Sequence, residues 1–264
     1  ARSGAENLRS VLAHTTAYIA VAQAVRENLI NHHGIPADKI TVIYEHIREL
    51  PPVPTAAEKA AARSAFGLPA GAFVVGGCGA EHWRKGRDLI PQLLLALRRH
   101  QAQPEIHFVW IGRSGTAEEE ANLQLDLRNA GVAALFHTSG EVENPFKLFP
   151  AIDVFALLSR DDPYPLVCLE VAALEIPIVC FDNAGGMPEF VQDGAGESVP
   201  YLDLPAMAAV IGKFATDSST AHRSGQLGRE RVCRENTLAT TGPQLREVIT
   251  RVLQGRSGDQ DSGQ

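Results

Sequence analysis

Several features are missing from this sequence, and each absence removes a class of protein. No two of the four cysteines (Cys78, Cys168, Cys180, Cys233) form a CxxC pair, and none has partner histidines at zinc spacing. This argues against a structural zinc site and a disulfide framework. Three of the thiols lie in apolar stretches that read as core, the pattern of free cysteines in a reducing compartment. No apolar run approaches the ~20 residues of a membrane span. Positive charge is in deficit: 24 Lys+Arg against 31 Asp+Glu leave a formal net charge of −7. That is the wrong sign for general nucleic-acid binding, so any phosphate must be met by local cations or backbone amides. The chain opens on ARSGAENLRS, with no initiator Met and no signal-peptide shape, and we therefore expect an internal cut in a longer protein.

What is present is ordinary globular material, 45% hydrophobic and 21% charged, with 23 Gly and 16 Pro. Short β-rich apolar runs alternate with helical patterns. AYIAV (17–21) and ITVIYE (40–45) read as strands around a helix over 22–33 that Gly34 stops. RELPPVPT (48–55) reads as a linker or domain boundary. Beyond it, FVVGGCG (73–79), IHFVWIG (106–112), AALFHTSG (133–140), IDVFALLS (152–159) and IPIVCF (176–181) read as strands separated by helices. The stretch from 204 to 254 is helical, and 255–264 is a polar tail expected to be disordered. Continuously apolar strands between helices imply an α/β domain, a doubly wound, Rossmann-like parallel sheet covered on both faces.

Ligands of such sheets bind outside the carboxyl ends of the strands. The loops there carry the chemistry. After the first strand of this domain comes AEHWRKGRD (80–88), where Arg84, Lys85 and Arg87 cluster beside a glycine and a helix start. A phosphate site is one reading, and a solvated charge run is the plain alternative. Neither a Walker A loop nor GxGxxG is present, since the GGCG ending at Gly79 lacks the third glycine. The loop SRDDPYP (159–165) leads into LVCLEVAAL (166–174). Pro165 suits a first helical position, which leaves the amides of Leu166 and Val167 facing the crevice. Glu170 lies ~6 Å further along the axis, and its side chain leans back toward the helix start. An anion on the amides with hydroxyls one step away describes a phosphate on a ribose, whose hydroxyls can donate to a carboxylate. An exposed helical Glu is the alternative. In DNAGGMPEF (182–190), Gly185 and Gly186 permit close backbone approach to a ligand. Glu189 has an ordinary role available in offsetting the dipole of its own helix.

Together these pieces resemble the retaining, nucleotide-sugar-dependent glycosyltransferases of family 4, with the GT-B fold. The resemblance rests on Lys85-Gly86, on an acid and a glutamate eight positions apart (Asp162 and Glu170), and on Gly185-Gly186-Met187-Pro188-Glu189. The DPYPLVCLE wording is closest to bacterial polysaccharide-synthesis members, and the likeness covers roughly residues 15 to 235. Two positions depart from the family: its first acid is usually Glu where Asp162 stands, and its usual loop arginine, six residues before the lysine, is Gly79 here.

The resemblance implies that residues 1–50 are the trailing segment of an N-terminal domain, and 51–254 a nucleotide-sugar-binding domain without the acceptor half. It implies a nucleoside-diphosphate sugar as donor, with Lys85 and Arg84 at the diphosphate. Asp162 and the backbone at 185–187 would hold the donor sugar, and Gly79 and Gly140 would border the ligand, with HTSGE (137–141) beside the base. No metal ion or other cofactor is expected, and the acceptor is an unnamed glycan or lipid-linked molecule. The protein would be cytoplasmic, without a transmembrane segment and peripheral to the membrane at most. A non-catalytic nucleotide-sugar-binding module and a sugar-nucleotide epimerase on the same fold remain alternatives. The missing glycine fingerprint argues against a nicotinamide dehydrogenase.

Overall fold

A computed structural model describes residues 10–80, 82–99, 105–113 and 115–260, with side chains to 254. A small parallel sheet comes first: β1 (Tyr18–Ala20) and β2 (Ile40–Val42), joined by α1 (Gln23–His33). Gly34 ends α1 at φ 66°, its N–H bonded back to Ile30, because a residue without Cβ tolerates the left-handed conformation of a helix stop. Ala20, Ile35 and Ile40 form a separate small core against Val25, Leu29 and Ile30.

The main body follows α2 (Ala56–Ala65), which Thr55 and Glu58 start with a reciprocal capping box. Its strands are β3 (Phe73–Cys78), β4 (Ile106–Ile111), β5 (Phe136–Thr138), β6 (Val154–Leu157), β7 (Ile178–Phe181) and β8 (Gly196–Val199). They pair in the order β5-β4-β3-β6-β7-β8, every neighbour parallel. The helices are α3 (Ile90–Arg99), α4 (Ala117–Asn129), α5 (Leu166–Ala172), α6 (Met187–Val191), α7 (Leu204–Thr216), α8 (Ser218–Glu235) and α9 (Leu238–Gln260).

Alternate strand residues feed two cores, as the period of two requires. Val74, Val109, Phe155 and Leu157 pack with α5, α6 and α8. Val75, Phe108, Trp110 and Ala156 pack with α3, α4 and α7. This is the doubly wound sheet expected.

Four details differ from expectation. Residues 87–89 form a 3-10 turn before α3, so Pro91 is the second helical residue, where its missing N–H breaks no intrahelical bond. The run from Ala133 begins as a 3-10 turn and becomes strand only at Phe136. Strand β8 was not anticipated, since only Gly196 and Val199 of its four residues are buried. Helix α9 continues to Gln260, so 255–260 of the expected disordered tail is helical backbone, despite Gly255 and Gly258, each of which costs a helix only ~1 kcal/mol. Positions 100 and 261–264 lie outside the described residues. Among the described residues no helix is long and apolar enough to cross a membrane.

Candidate functional site

The strand order reverses between β3 and β6. Chains leaving these two strands diverge to opposite faces of the sheet, and the crevice between them is where a doubly wound sheet accepts a ligand. The loops after β3, β6 and β7 all reach it, and backbone contacts lock them together. Gly86, at φ 67°, is pressed so close that a Cβ there would lie 2.0 Å from the Leu158 carbonyl oxygen. The Asp162 N–H donates to the Ala184 carbonyl at 2.7 Å, and the Gly186 N–H to the Pro163 carbonyl at 2.9 Å. A Cβ on Gly185 would stand 1.8 Å from the Asp162 carbonyl oxygen, at φ 131°. The pair of glycines therefore serves loop-to-loop packing at the crevice.

Within this frame Lys85 Nζ donates to Asp162 Oδ2 at 2.6 Å, and the Ser159 hydroxyl donates to the same oxygen at 3.3 Å. Asp162 is buried and Lys85 half-buried. The lysine stem runs past Gly79, where even a Cβ would come within 3.5 Å of it. Two residues singled out separately in the sequence are thus one ion pair, with the Asp162 carboxylate holding the cation. Arg84 braces the rim instead: its Nη1 donates to the Asp161 carbonyl at 2.6 Å.

Glu170 is half-buried on α5 and has no hydrogen-bond or ion partner among the described residues. Burial pushes its carboxyl above the usual carboxylate range. The Cys78 thiol is pushed up to about 12, first by burial and then by the negative charge of Glu170, while Lys85 opposes the shift. Cys78 is therefore flanked by the carboxylate and the ammonium, and at that pKa it is an inert thiol. Pro165 is the N-cap of α5, and the helix proper begins at Leu166, one residue later than expected. The stitching of 162 and 163 to 184–186 keeps the chain extended up to Pro165, whose ψ is 122°. The N–H groups of Leu166 and Val167 have no backbone partner among the described residues.

At the ends of β4 and β5 the Gly112 N–H donates to the Gly140 carbonyl at 3.2 Å, and Gly79 donates to Ile111 at 3.0 Å, which continues the rim past the last strand residues. The Met187 side chain is core, 1% exposed, so only its backbone can meet a ligand.

The expected role of Glu189 changes. Its carboxylate accepts from the N–H groups of Gln23 and Ala24, at 3.0 and 2.9 Å, and from the Tyr44 hydroxyl at 3.0 Å. It caps α1, a different helix from its own, because the fold brings the β1–β2 unit against the loop after β7. Burial, then the Glu189 carboxylate, pushes the Tyr44 hydroxyl up to about 12. A polar groove of about 780 Å³ runs beside this clamp between α1 and the β7 loop, walled by Glu27, Asn28, Asn31, Asp182 and Asn183.

Comparison with known proteins agrees with this architecture. Residues 61–231 match the family described as glycosyl transferases group 1. The chain is 28% identical over 205 residues to a D-inositol 3-phosphate glycosyltransferase of Mycolicibacterium gilvum, covering 75% of this chain and 44% of that protein. It is also 28% identical over 165 residues to the lipopolysaccharide core biosynthesis mannosyltransferase LpsB of Rhizobium meliloti, covering 61% and 46%. The chain thus spans about half the length of the curated relatives it matches. Among solved structures, Anabaena HepE in complex with UDP superposes with a TM-score of 0.83 at 21% identity, over 94% of this chain and 68% of that one. Sucrose-phosphate synthase of Thermosynechococcus elongatus gives 0.79 at 20% identity, over 94% and 61%. The sheet is the Rossmann-like sheet of GT-B glycosyltransferase structures.

Proposed function

Because this chain belongs to the group 1 glycosyl transferases, we propose that its crevice binds a nucleoside-diphosphate sugar and offers the sugar, with retention at the anomeric carbon, to a glycan or lipid-linked acceptor. The observation that carries this reading is the Lys85–Asp162 pair beside the partnerless Glu170 at the strand-order reversal. As the bond to the sugar breaks, negative charge accumulates on the departing diphosphate, and fixed donors aimed at that charge are the main source of acceleration. Lys85, oriented by Asp162, and the amides of Leu166 and Val167 supply them. Arg84 holds the rim on which Lys85 rides. Glu170 accepts from the ribose hydroxyls, and the backbone at Gly185 and Gly186 lies along the donor sugar. Gly79 and Gly140 border the nucleotide. In this reading cations and N–H groups, and no metal ion, neutralise the diphosphate. That the solved neighbours include complexes with UDP and UDP-glucose supports a donor of this class. The free cysteines agree with a cytoplasmic setting, where such donors are found.

All these groups lie on one wall of the cleft. Positioning two reactants can supply about 7–11 kcal/mol of a barrier, and one wall positions one reactant, so this chain alone binds donor without transferring sugar. The test is a thermal-shift screen with UDP, GDP, ADP and dTDP and their sugars. A ligand at a hundred times its Kd stabilises the fold by about 2.7 kcal/mol, visible as a raised Tm. No shift with any nucleotide would remove the donor site, and robust transfer by this chain would refute the one-wall argument.

A further inference from the structure

A second cavity, about 290 Å³, lies between the turn after β3 and helix α4, and shares no residue with the donor site. Its walls are Trp83, Arg87, Asp88, Glu119, Asn122, Leu123 and Asp126. Trp83 is 67% exposed, an unusual position for the largest apolar side chain. Yet one face of the indole has a partner. The Arg160 guanidinium lies 5.2 Å from the ring centroid. That arginine is fixed by two bonds to Asp88, at 2.8 and 2.7 Å, and by a third to the Trp83 carbonyl at 2.8 Å. Arg160 is not a wall of the cavity, so much of the ring stays open to it. An aromatic surface already backed by a partner loses less entropy when a ligand stacks on it.

The charges around the ring are mostly committed. Asp88 is paired with Arg160. Glu119 accepts from the N–H and hydroxyl of Thr116 in the α4 capping box, which holds its carboxyl below the usual range. Arg87 is paired with Glu120 at 2.8 Å. What faces outward are Asn122 and Asp126, one turn apart on α4 and both exposed, above the buried Leu123. A cation would call for several uncommitted carboxylates. A flat ring with one amide and one carboxylate at its edge instead matches a pyranose, whose C–H face is apolar and whose hydroxyls both donate and accept. The volume is at the small end for a ligand site, suited to one ring.

We propose that this cavity is a carbohydrate subsite, holding one neutral glycosyl residue of a glycan stacked on Trp83 and hydrogen-bonded to Asn122 and Asp126. The inference stands on this cavity's own geometry, and the ligands that test it are sugars, with UDP as the control. The chain has two tryptophans, and Trp110 is 2% exposed, so acrylamide quenching of intrinsic fluorescence reports on Trp83. Maltotriose, mannotriose, cellotriose and chitotriose are titrated into the millimolar range. At least one should reduce quenching saturably. The Asn122→Ala, Asp126→Ala double variant keeps the fluorophore and should weaken that protection at least ~10-fold, the equivalent of ~1.4 kcal/mol. Trp83→Ala should abolish the saturation-transfer NMR signal of the same sugar. An unchanged melting temperature shows that both variants are folded. The proposal fails if no sugar protects Trp83, if the double variant binds as well as wild type, or if tetramethylammonium protects and sugars do not. Protection by UDP alone, run as a control, would also overturn it, by assigning the cavity to the donor site.

Discussion

Replacing Glu170 by Gln removes a charge while keeping the shape of the side chain, and the consequences for the free and liganded protein have opposite signs. In the free protein the carboxylate is half-buried without a partner, and burial raises its pKa. A carboxyl whose folded pKa exceeds its unfolded value favours the native state below the unfolded value, and that contribution is lost as pH rises through the folded value. Once ionised, Glu170 is therefore a burden on the fold, and unliganded Glu170→Gln should melt no lower than wild type at any pH above its titration. In the proposed complex the same charge accepts hydrogen bonds from ribose hydroxyls, worth about 1.5–3 kcal/mol, so on that proposal the variant should lose roughly ten- to a hundredfold in affinity. Calorimetric titration of both proteins with UDP and with 2′,3′-dideoxy-UDP isolates the coupling. Wild type should prefer the ribose form by about that factor, and the variant should hardly distinguish the two. Wild-type affinity for UDP should also fall with pH as Glu170 takes up its proton, beginning above the ordinary glutamate range, while the variant stays level. If the variant discriminates ribose from dideoxyribose as well as wild type does, Glu170 does not read the ribose.

Three further substitutions test the remaining parts of the site. Lys85→Ala, assayed with donor and acceptor in the full-length protein, should lower kcat by about 10²–10³, the scale of removing one charge-stabilising donor; a fall of less than threefold would leave Lys85 as a structural partner of Asp162 alone. Gly185→Ala places a Cβ where the Asp162 carbonyl oxygen already stands, 1.8 Å away, so it should destabilise the fold by ~2 kcal/mol or more and weaken UDP binding, and an unchanged Tm would contradict the loop packing. Glu189→Ala removes the α1 cap and should cost about 0.5–2 kcal/mol, read as a few-fold to ~30-fold faster hydrogen exchange at Gln23 and Ala24; unaltered exchange would show that the clamp contributes nothing.

The strands β3, β4, β6 and β7 were legible because a parallel sheet covered on both faces needs runs that are apolar throughout, and FVVGGC, IHFVWI, VFAL and IVCF are such runs. Strand β8 was hidden by the same logic. At the sheet edge GESV turns Glu197 and Ser198 outward and leaves no apolar pattern. The residues around the crevice were found through spacing and loop chemistry, but their partners were not. Lys85 and Asp162 lie 77 positions apart, and Glu189 lies 165 from the amide of Ala24 that it caps. Such pairings are made by the winding of the sheet, so no local pattern announces them. Glu189 had a sufficient local explanation in the dipole of its own helix, and that explanation concealed the distant one. Trp83 carried no signal beyond being a tryptophan in a charged loop, since the Arg160 that pins it is equally far away.

Three consecutive residues after β3 each meet a residue 77 positions later: the Trp83 carbonyl accepts from Arg160, Arg84 donates to the Asp161 carbonyl, and Lys85 binds Asp162. The Arg160 N–H adds a bond to the Arg84 carbonyl at 2.7 Å. The constant offset means that the two loops run side by side across the strand-order reversal, joined residue by residue where the strands beneath them have already parted. A cation carried on such a rim is paired before any ligand arrives. Lys85 is held by the Asp162 carboxylate, and the Asp162 backbone is tied in turn to the β7 loop through Ala184. Stabilising charge in a transition state requires donors that need no reorganisation when the charge appears, and for the proposed donor site this cross-linked rim is suited to that requirement. Trp83 and Lys85 belong to the same 3-10 turn, so a glycan held on the indole would be anchored to the turn that carries the cation. Any movement of one loop relative to the other would have to break this row of contacts.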